Sequence, residues 1–238
     1  MKSLNIALIG YGRMGHEVEQ TAQKRGHNIM ARIDSHEDWL EQAEKLSQAD
    51  VAIGFSLPQL AVSNIYRCFD LGLKVVEGTT GWYNELEAVL NRCLQEGRSF
   101  FYAPNFSPGM NMMFRLNRQL AELVNKTDYT ISISETHHIH KLDAPSGTAL
   151  KLVSQITNAV DRYEGWAFAD KATGKQLPVT SHRLGEVTGI HEVIAKSADD
   201  SIRLIHEAHG RGGLALGAVL AAEFLHNKQG VFTMDDLL

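Results

Sequence analysis

Apolar and polar positions follow two rhythms along this chain, and the rhythm changes once, near residue 105. Before that point, short apolar runs of strand length alternate with stretches whose apolar residues recur at helical spacing. Leu4 to Ile9 reads as a strand, Arg13 to Lys24 as a helix, and "HNIMARID" as a second strand ending at Asp34. A helical "DWLEQAEKLS" (38–47) precedes the strand "DVAIGFS" (50–56), and Pro58 suits the first turn of the next helix. The strand "KVVEGTT" (74–80), a helix from Asn84 to Gln95 and the strand "SFFYAPN" (99–105) complete the series. Strands separated by single helices join by right-handed crossovers, which predicts an α/β, doubly wound Rossmann-type parallel sheet covered on both faces.

Beyond Asn105, Pro108 and Gly109 in "FSPGMNMMF" read as a hinge before a helix from Asn111 to Val124. Met112, Met113, Leu116, Leu120 and Leu123 lie at helical spacing on it and are read as its core face. A strand "DYTISISETHH" (128–138) and a helix over 145–160 follow, then three alternating extended runs at 177–185, 188–196 and 201–210. Strands in succession predict an α+β second domain with a mixed, open sheet and helices on one face. The final helix (212–227) would lead the chain back to the first domain. The expected division is therefore 1–108 with 213–238 for dinucleotide binding, and 109–212 for substrate binding and oligomerisation, with closure about 107–109 and 209–213.

Composition narrows the function without identifying it. In 238 residues, 44% are hydrophobic and the formal charge is −5, with no long basic run, which argues against nucleic acid as a partner. Cys68 and Cys93 both fall within helical patterns and read as small buried hydrophobes rather than a disulfide, which suits a reducing cytoplasm. No window approaches the length of a membrane span, so a soluble cytoplasmic protein is expected.

Gly10, Gly12 and Gly15 form G-x-G-x-x-G directly after the first strand, with Tyr11, Arg13 and Met14 filling the motif. The first glycine makes a tight turn, the second lets a pyrophosphate approach the backbone, and the third allows close helix-to-strand packing. Asp34 closes the second strand where a carboxylate accepts from an adenosine ribose 2′-hydroxyl and repels a 2′-phosphate. Arg32 and His36 nearby would soften that repulsion, so the cofactor is read as NADH or NADPH, with the balance towards NADH. The remaining strand ends, "GFSLP", "EGTTG" and "YAPNF", offer small residues and hydroxyls to a nicotinamide, and Asn105 can both donate to and accept from its carboxamide.

The stretch "SETHHIHKLDAPSGTAL" (134–150) carries the densest chemistry. As a strand it would place His138 and His140 on one face and His137 on the other, with Lys141 following at the turn. Pro145 and Ser146 then open a helix, whose first amides, Gly147 and Thr148, form an anion site that needs no net positive charge. Imidazole and ammonium beside a bound carboxylate can handle protons near neutral pH. A metal held by His138, His140 and Asp143 lacks a specific spacing, and no metal is expected. A cluster of surface histidines without chemistry is the other reading of these residues.

"ETHHIHKLDAPSGTA" (135–149) resembles the signature of the 4-hydroxy-tetrahydrodipicolinate (dihydrodipicolinate) reductase family, E-x-H-H-x-x-K-x-D-A-P-S-G-T-A. "GRMG" (12–15), "EGTTG" (77–81), "APNFSPGMN" (103–111) and the terminal "GVFTMDDLL" are also similar to that family. The resemblance implies an oxidoreductase of lysine and diaminopimelate biosynthesis, which passes a hydride to ring C4 of a cyclic dicarboxylate imine and protonates C3. It implies His137 and Lys141 as proton donors, His138 as a substrate ligand, and Gly147 with Thr148 as carboxylate binders. It places the cofactor at Gly10 to Gly15, Asp34, Gly78, Thr79, Thr80, Ala103, Pro104, Asn105 and Phe106, and implies a homotetramer. The partition between His137 and Lys141 stays open at this level, as does whether water is lost on the enzyme. The chain departs from many members in its shorter glycine loop, in Ser35 where a basic residue is common, in a compressed 34–50 region and in Leu57 where some carry arginine. A nicotinamide-sensing protein would need a recognition element such as a basic helix, which the sequence lacks, and another small dehydrogenase would not need this histidine–lysine–helix arrangement.

Overall fold

A strand buried on both faces reads as an unbroken apolar run, and β1 (Asn5–Ile9) is buried at every position but its first. The structure, a computed structural model, describes residues 2–238. After β1 come α1 (Arg13–Lys24), β2 (Asn28–Ile33), α2 (Asp38–Glu41), α3 (Ala43–Leu46), β3 (Val51–Gly54), α4 (Pro58–Asp70), β4 (Lys74–Glu77), α5 (Leu86–Gln95) and β5 (Ser99–Tyr102). The chain continues through α6 (Pro108–Val124), β6 (Thr130–His137), α7 (Gly147–Ala159), β7 (Gly165–Phe168), β8 (Gln176–Arg183), β9 (Gly189–Lys196) and β10 (Ser201–Ala208). It ends with α8 (Gly212–Leu225), β11 (Gly230–Phe232) and α9 (Met234–Leu237). Two units result: residues up to Pro108 together with Arg211–Leu238, and Gly109–Gly210.

The first unit is built on a six-stranded sheet in the order β11-β5-β4-β3-β1-β2, parallel throughout, as the alternation of strand and helix requires. The helix expected over 38–47 is broken at Gln42, because β2 is an edge strand with open backbone groups. Gln42 accepts from Arg32 N at 3.1 Å and donates to the Arg32 carbonyl at 2.7 Å, so its side chain caps that edge. β11 adds three residues parallel to β5, too few to show a period in sequence. α9 is announced by a capping box between Thr233 and Asp236.

α8 is apolar nearly all round, as a helix enclosed on most sides must be. It packs into the same core as Leu4, Ile6, Leu8, Val18 and Phe101. Gly217 lies against the Phe106 carbonyl so closely that a Cβ would fall on that oxygen. At the other end Glu223 accepts from Arg25 at 2.7 and 2.8 Å and from His27 Nε2 at 2.8 Å. His27 Nδ1 accepts from Leu4 N, which leaves Nε2 to carry the proton. Among the described residues, no helix is long and apolar enough to cross a membrane.

The second unit has a mixed five-stranded sheet in the order β10-β9-β6-β8-β7. β6 runs parallel to β8 and antiparallel to β9, so it separates two strands that are consecutive in sequence. Ile131, Ile133, Leu177, Val179, Val193 and Ala195 face α6 and α7. The core face of α6 differs from the one expected: Met113 and Leu120 are buried, but Met112, Leu116 and Leu123 are exposed. Its stripe runs through Met110, Met113, Phe114, Asn117, Leu120, Ala121 and Val124. Asn117 disguises it in sequence; buried completely, it donates to the Leu152 carbonyl at 3.2 Å and to Gln155 at 2.9 Å. α6 also begins at Pro108 itself, the expected hinge, since proline tolerates the first helical position.

Candidate functional site

The glycine motif behaves as its spacing predicts. Gly10 adopts φ +91°, and a Cβ there would strike the Phe55 carbonyl, so β1 can turn tightly against the end of β3. A Cβ on Gly15 would come within 2.6 Å of the Gly10 carbonyl, whereas one on Gly12 would meet nothing within 4 Å. Gly12 is the N-cap of α1 and faces open space, where helix amides and a helix dipole favour an anion. Gly10, Gly12 and Asp34 border a cavity of about 610 Å³, together with Trp39, Phe55, Ser56, Leu57, Asn64 and Arg67. Arg13 is exposed at the helix start, while Met14 and Tyr11 pack against the core below.

Around Asp34 the polar groups are already committed. Asp34 Oδ1 accepts from Tyr11 N at 2.8 Å. The Asp38 carboxylate accepts from the backbone N–H groups of Asp34 and Ser35, each at 2.8 Å, and from Ser35 Oγ at 3.0 Å. Those bonds hold Asp38 below the usual carboxylate range. Arg32, expected to offset the charge of Asp34, instead forms a two-point ion pair with Glu19. His36 lies 3.2 Å from Arg67, whose guanidinium stands over the Trp39 ring. Arg67 and Trp39 were missed in sequence, since their meeting depends on how the turn after β2 lies against α4.

The other residues assigned to the cofactor cap neighbouring strands rather than line that cavity. Thr79 is buried; its N–H donates to Glu77 Oε1 at 2.7 Å and its hydroxyl accepts from Ser56 N at 2.9 Å. Gly78 lies against the Phe55 ring, and Thr80 is exposed. Glu77, also missed, is pushed up to about 7 by burial, opposed by hydrogen bonds from Thr79 and Gly78. Ala103 and Phe106 are core residues, Pro104 is exposed, and Asn105 Oδ1 accepts from Ser107 N at 2.9 Å.

In the second unit β6 ends at His137, so His138 and His140 do not share a strand face as expected. The chain turns instead: Ile139 N donates to the Gly185 carbonyl and Lys141 N to the His138 carbonyl, both at 3.1 Å. His137 is buried, His138 half-buried and His140 exposed. Behind His137 stands Glu135, fully buried, one oxygen paired with His137 Nδ1 and the other accepting from Arg183 Nη1 at 3.0 Å. Burial works against the charge of Glu135, but bonds from Ser181 and Arg183 outweigh it and hold the carboxyl below its usual range. Burial likewise holds His137 below its ordinary range, against the pull of Glu135. Lys141 Nζ donates to Asp143 Oδ1 at 2.8 Å.

Ser146 is the N-cap of α7, its Oγ accepting from Ala149 N at 3.2 Å, so the amides of Gly147 and Thr148 precede the first helical bond. His191, opposite Glu135 on β9, lies 3.1 Å from Ser146 Oγ and meets the His137 ring edge-on with centroids 5.1 Å apart. One run of contacts therefore joins His137 to the N-terminus of α7. Glu135, His137 and His191 present ligating atoms within 4.8 Å of one another. A divalent cation there would meet the positive charges of Arg183 and Lys141. His191 and Arg183 were not singled out in sequence, because only strand pairing brings them to His137, whereas Glu135 lies two positions before it on the same strand, a spacing that already puts the two on one face.

Residues 4–106 match the family described as "Dihydrodipicolinate reductase, N-terminus", and residues 109–238 the one described as "Dihydrodipicolinate reductase, C-terminus". The chain is similar to the 4-hydroxy-tetrahydrodipicolinate reductase of Christiangramia forsetii, 43% identical over 99% of this chain and 98% of that one. It is 38% identical to the protein of that name from Methanosarcina barkeri, over 99% of both. Among solved structures, a dipicolinate-bound dihydrodipicolinate reductase from Paenisporosarcina sp. TG-14 shares the fold, with a TM-score of 0.81 at 20% identity over the whole of both chains. An amine dehydrogenase from Mycobacterium smegmatis follows at 0.62 and 11%, covering 97% of this chain and 94% of that one.

Burial, with the charge of His137 acting in the same direction, pushes His191 down from 6.5 to about 4. The folded protein then binds fewer protons than the unfolded chain between these values, so this contribution is intact above pH 6.5 and fades as the pH falls towards 4. The gap corresponds to about 3 kcal/mol. A His191→Gln variant is expected to lose less stability than wild type between pH 7 and pH 4.5 in urea denaturation. Equal losses in the two proteins would show that His191 is not a source of the acid sensitivity.

Proposed function

Because the chain belongs to the dihydrodipicolinate reductase family, and so reduces 4-hydroxy-tetrahydrodipicolinate with NAD(P)H in lysine and diaminopimelate biosynthesis, we propose that substrate is held and protonated between His137, Lys141 and the N-terminus of α7. The observation that carries this assignment is the continuous contact from Glu135 through His137 and His191 to Ser146. A dicarboxylate ring fits it: the free amides of Gly147 and Thr148 take one carboxylate with help from the helix dipole. His138, half-buried and next to His137 in sequence, is assigned to the substrate as well. The fold relative from Paenisporosarcina, solved with dipicolinate bound, supports a flat ring with two carboxylates as the ligand class.

When bound, the reduced nicotinamide supplies a hydride to ring C4 of the conjugated imine. The electron pair left on C3 needs a proton, and Lys141 and His137 are the groups placed to give it. Glu135 fixes the His137 ring through Nδ1, which directs Nε2 away from the carboxylate as the reactive nitrogen. The lowered affinity of His137 for a proton suits a group that relays one rather than holds it.

For the cofactor we assign the first unit, with Gly12 and Arg13 at the diphosphate and Asp34 at the adenosine ribose. NADH is the preferred form. The N–H groups of Asp34 and Ser35, which a 2′-phosphate would need, are occupied by Asp38, and Arg32 is engaged by Glu19. We also propose a cytoplasmic homotetramer. Its contact lies on the face of the second sheet turned away from α6 and α7, where Ile190, Ile194 and the exposed Ile205 stand among polar residues.

Substrate generated in situ from pyruvate and aspartate semialdehyde, with oxidation followed at 340 nm, tests the site. His137→Ala and Lys141→Ala are each expected to lose about 100-fold or more in kcat while NADH binding persists; wild-type turnover in both would refute the assignment. In the same assay kcat/KM should favour NADH by about 10-fold or more, and an Asp34→Ser/Asp38→Ala double variant should move the ratio towards NADPH by a similar factor. An unchanged ratio would remove Asp34 and Asp38 from specificity. Sedimentation velocity should give the mass of four chains, and a monomer at micromolar concentration would overturn the assembly.

A further inference from the structure

His137 and Lys141 sit on different kinds of backbone. His137 is the last residue of β6, held by its pairing with Arg183 of β8, whereas Lys141 lies in the 138–146 segment, which has no regular structure. A proton-handling pair needs a fixed mutual distance, and something must tie the second to the first.

Arg183 makes that connection. It ends β8 in register with His137, and its side chain is about one-fifth exposed. Nη1 donates to Glu135 Oε1 at 3.0 Å and to the His182 carbonyl at 2.6 Å. Nε donates to the Lys141 carbonyl at 3.2 Å, and Nη2 to the Asp143 carbonyl at 2.6 Å. One planar guanidinium thus grips the carboxylate that orients His137 and two carbonyls of the segment that carries Lys141. We propose that Arg183 is a positioning residue that holds His137 and Lys141 in one geometry for protonation of the substrate, an inference that rests on the assignment of those two residues above. Lysine cannot replace it: a point charge with a tetrahedral set of donors satisfies Glu135 or a carbonyl, but not the fork of three directions.

The test compares wild type, Arg183→Lys, Arg183→Ala and His137→Ala by steady-state kinetics with NADH, each normalised to sites titrated by NADH fluorescence. Arg183→Lys keeps a cation on the buried Glu135. It is expected to bind NADH as wild type does, with kcat reduced about 10-fold to 100-fold, the scale of an ångström-sized misplacement, and KM changed far less. Added guanidinium at low millimolar concentration should restore part of the rate of Arg183→Ala and none of that of His137→Ala. Amide exchange over 138–146 should quicken in both Arg183 variants. A kcat for Arg183→Lys within about two-fold of wild type overturns the proposal, whether or not Arg183→Ala folds. Guanidinium that leaves a folded Arg183→Ala unchanged overturns it too. If His137→Ala itself turns over normally, the assignment of the site fails first; if it is inactive while Arg183→Lys is normal, only the role of Arg183 fails.

Discussion

A carboxylate with no solvent access sits at the middle of the second sheet, and the arrangement of that unit follows from keeping it paired. Glu135 alone in such a place would be costly, and removing one partner from a buried pair costs about 3–5 kcal/mol. Its partners are Ser181 and Arg183 from β8 and His137 from its own strand, while His191 stands opposite it on β9. The bonds to Ser181 and Arg183 require β8 beside β6, which is the observed order. The hydrophobic face turned to α6 and α7 fixes which side of each strand is inward. The charge then favours β8 as a neighbour of β6.

The same carboxylate links architecture to chemistry. By pairing with Nδ1 it orients His137, and through Arg183 it is tied to the backbone of Lys141 and Asp143. On the other side, His191 reaches the cap of α7, so the amides proposed to bind a carboxylate and the groups proposed to handle the proton share one frame. Sheet, loop and helix terminus are separate in sequence, yet their functional groups are joined by bonds between about 2.6 and 3.2 Å. The first unit uses carboxylates differently. There Asp34 and Asp38 are near the surface, and they act by occupying backbone donors rather than by being buried.

The departures from sequence expectation have a common origin in polar side chains that serve the backbone. Gln42 interrupts a helix to seal the edge of β2, and Asn117 lies in the middle of the buried stripe of α6. Hydrophobic periodicity treats both as surface residues, so it extended one helix too far and rotated the inner face of another. β11 is too short for any periodic signal, and its place beside β5 is set by pairing alone.

By itself, the sequence determined the alternation that makes a parallel sheet, the glycine turn at α1, the Ser146 cap and the cluster from His137 to Thr148. These are local, because helix caps, tight turns and periodic burial depend on residues a few positions apart. Only the tertiary structure decided that β6 divides β8 from β9, that Arg183 stands behind Glu135 and His137, that His191 bridges to Ser146, and that Asp38 fills the donors beside Asp34. The 138–146 segment shows the difference most clearly: its residues are legible as chemistry, but their placement is held by an arginine about 40 positions away along the chain. A buried charge chooses its partners by distance in space, and sequence separation carries no record of that choice.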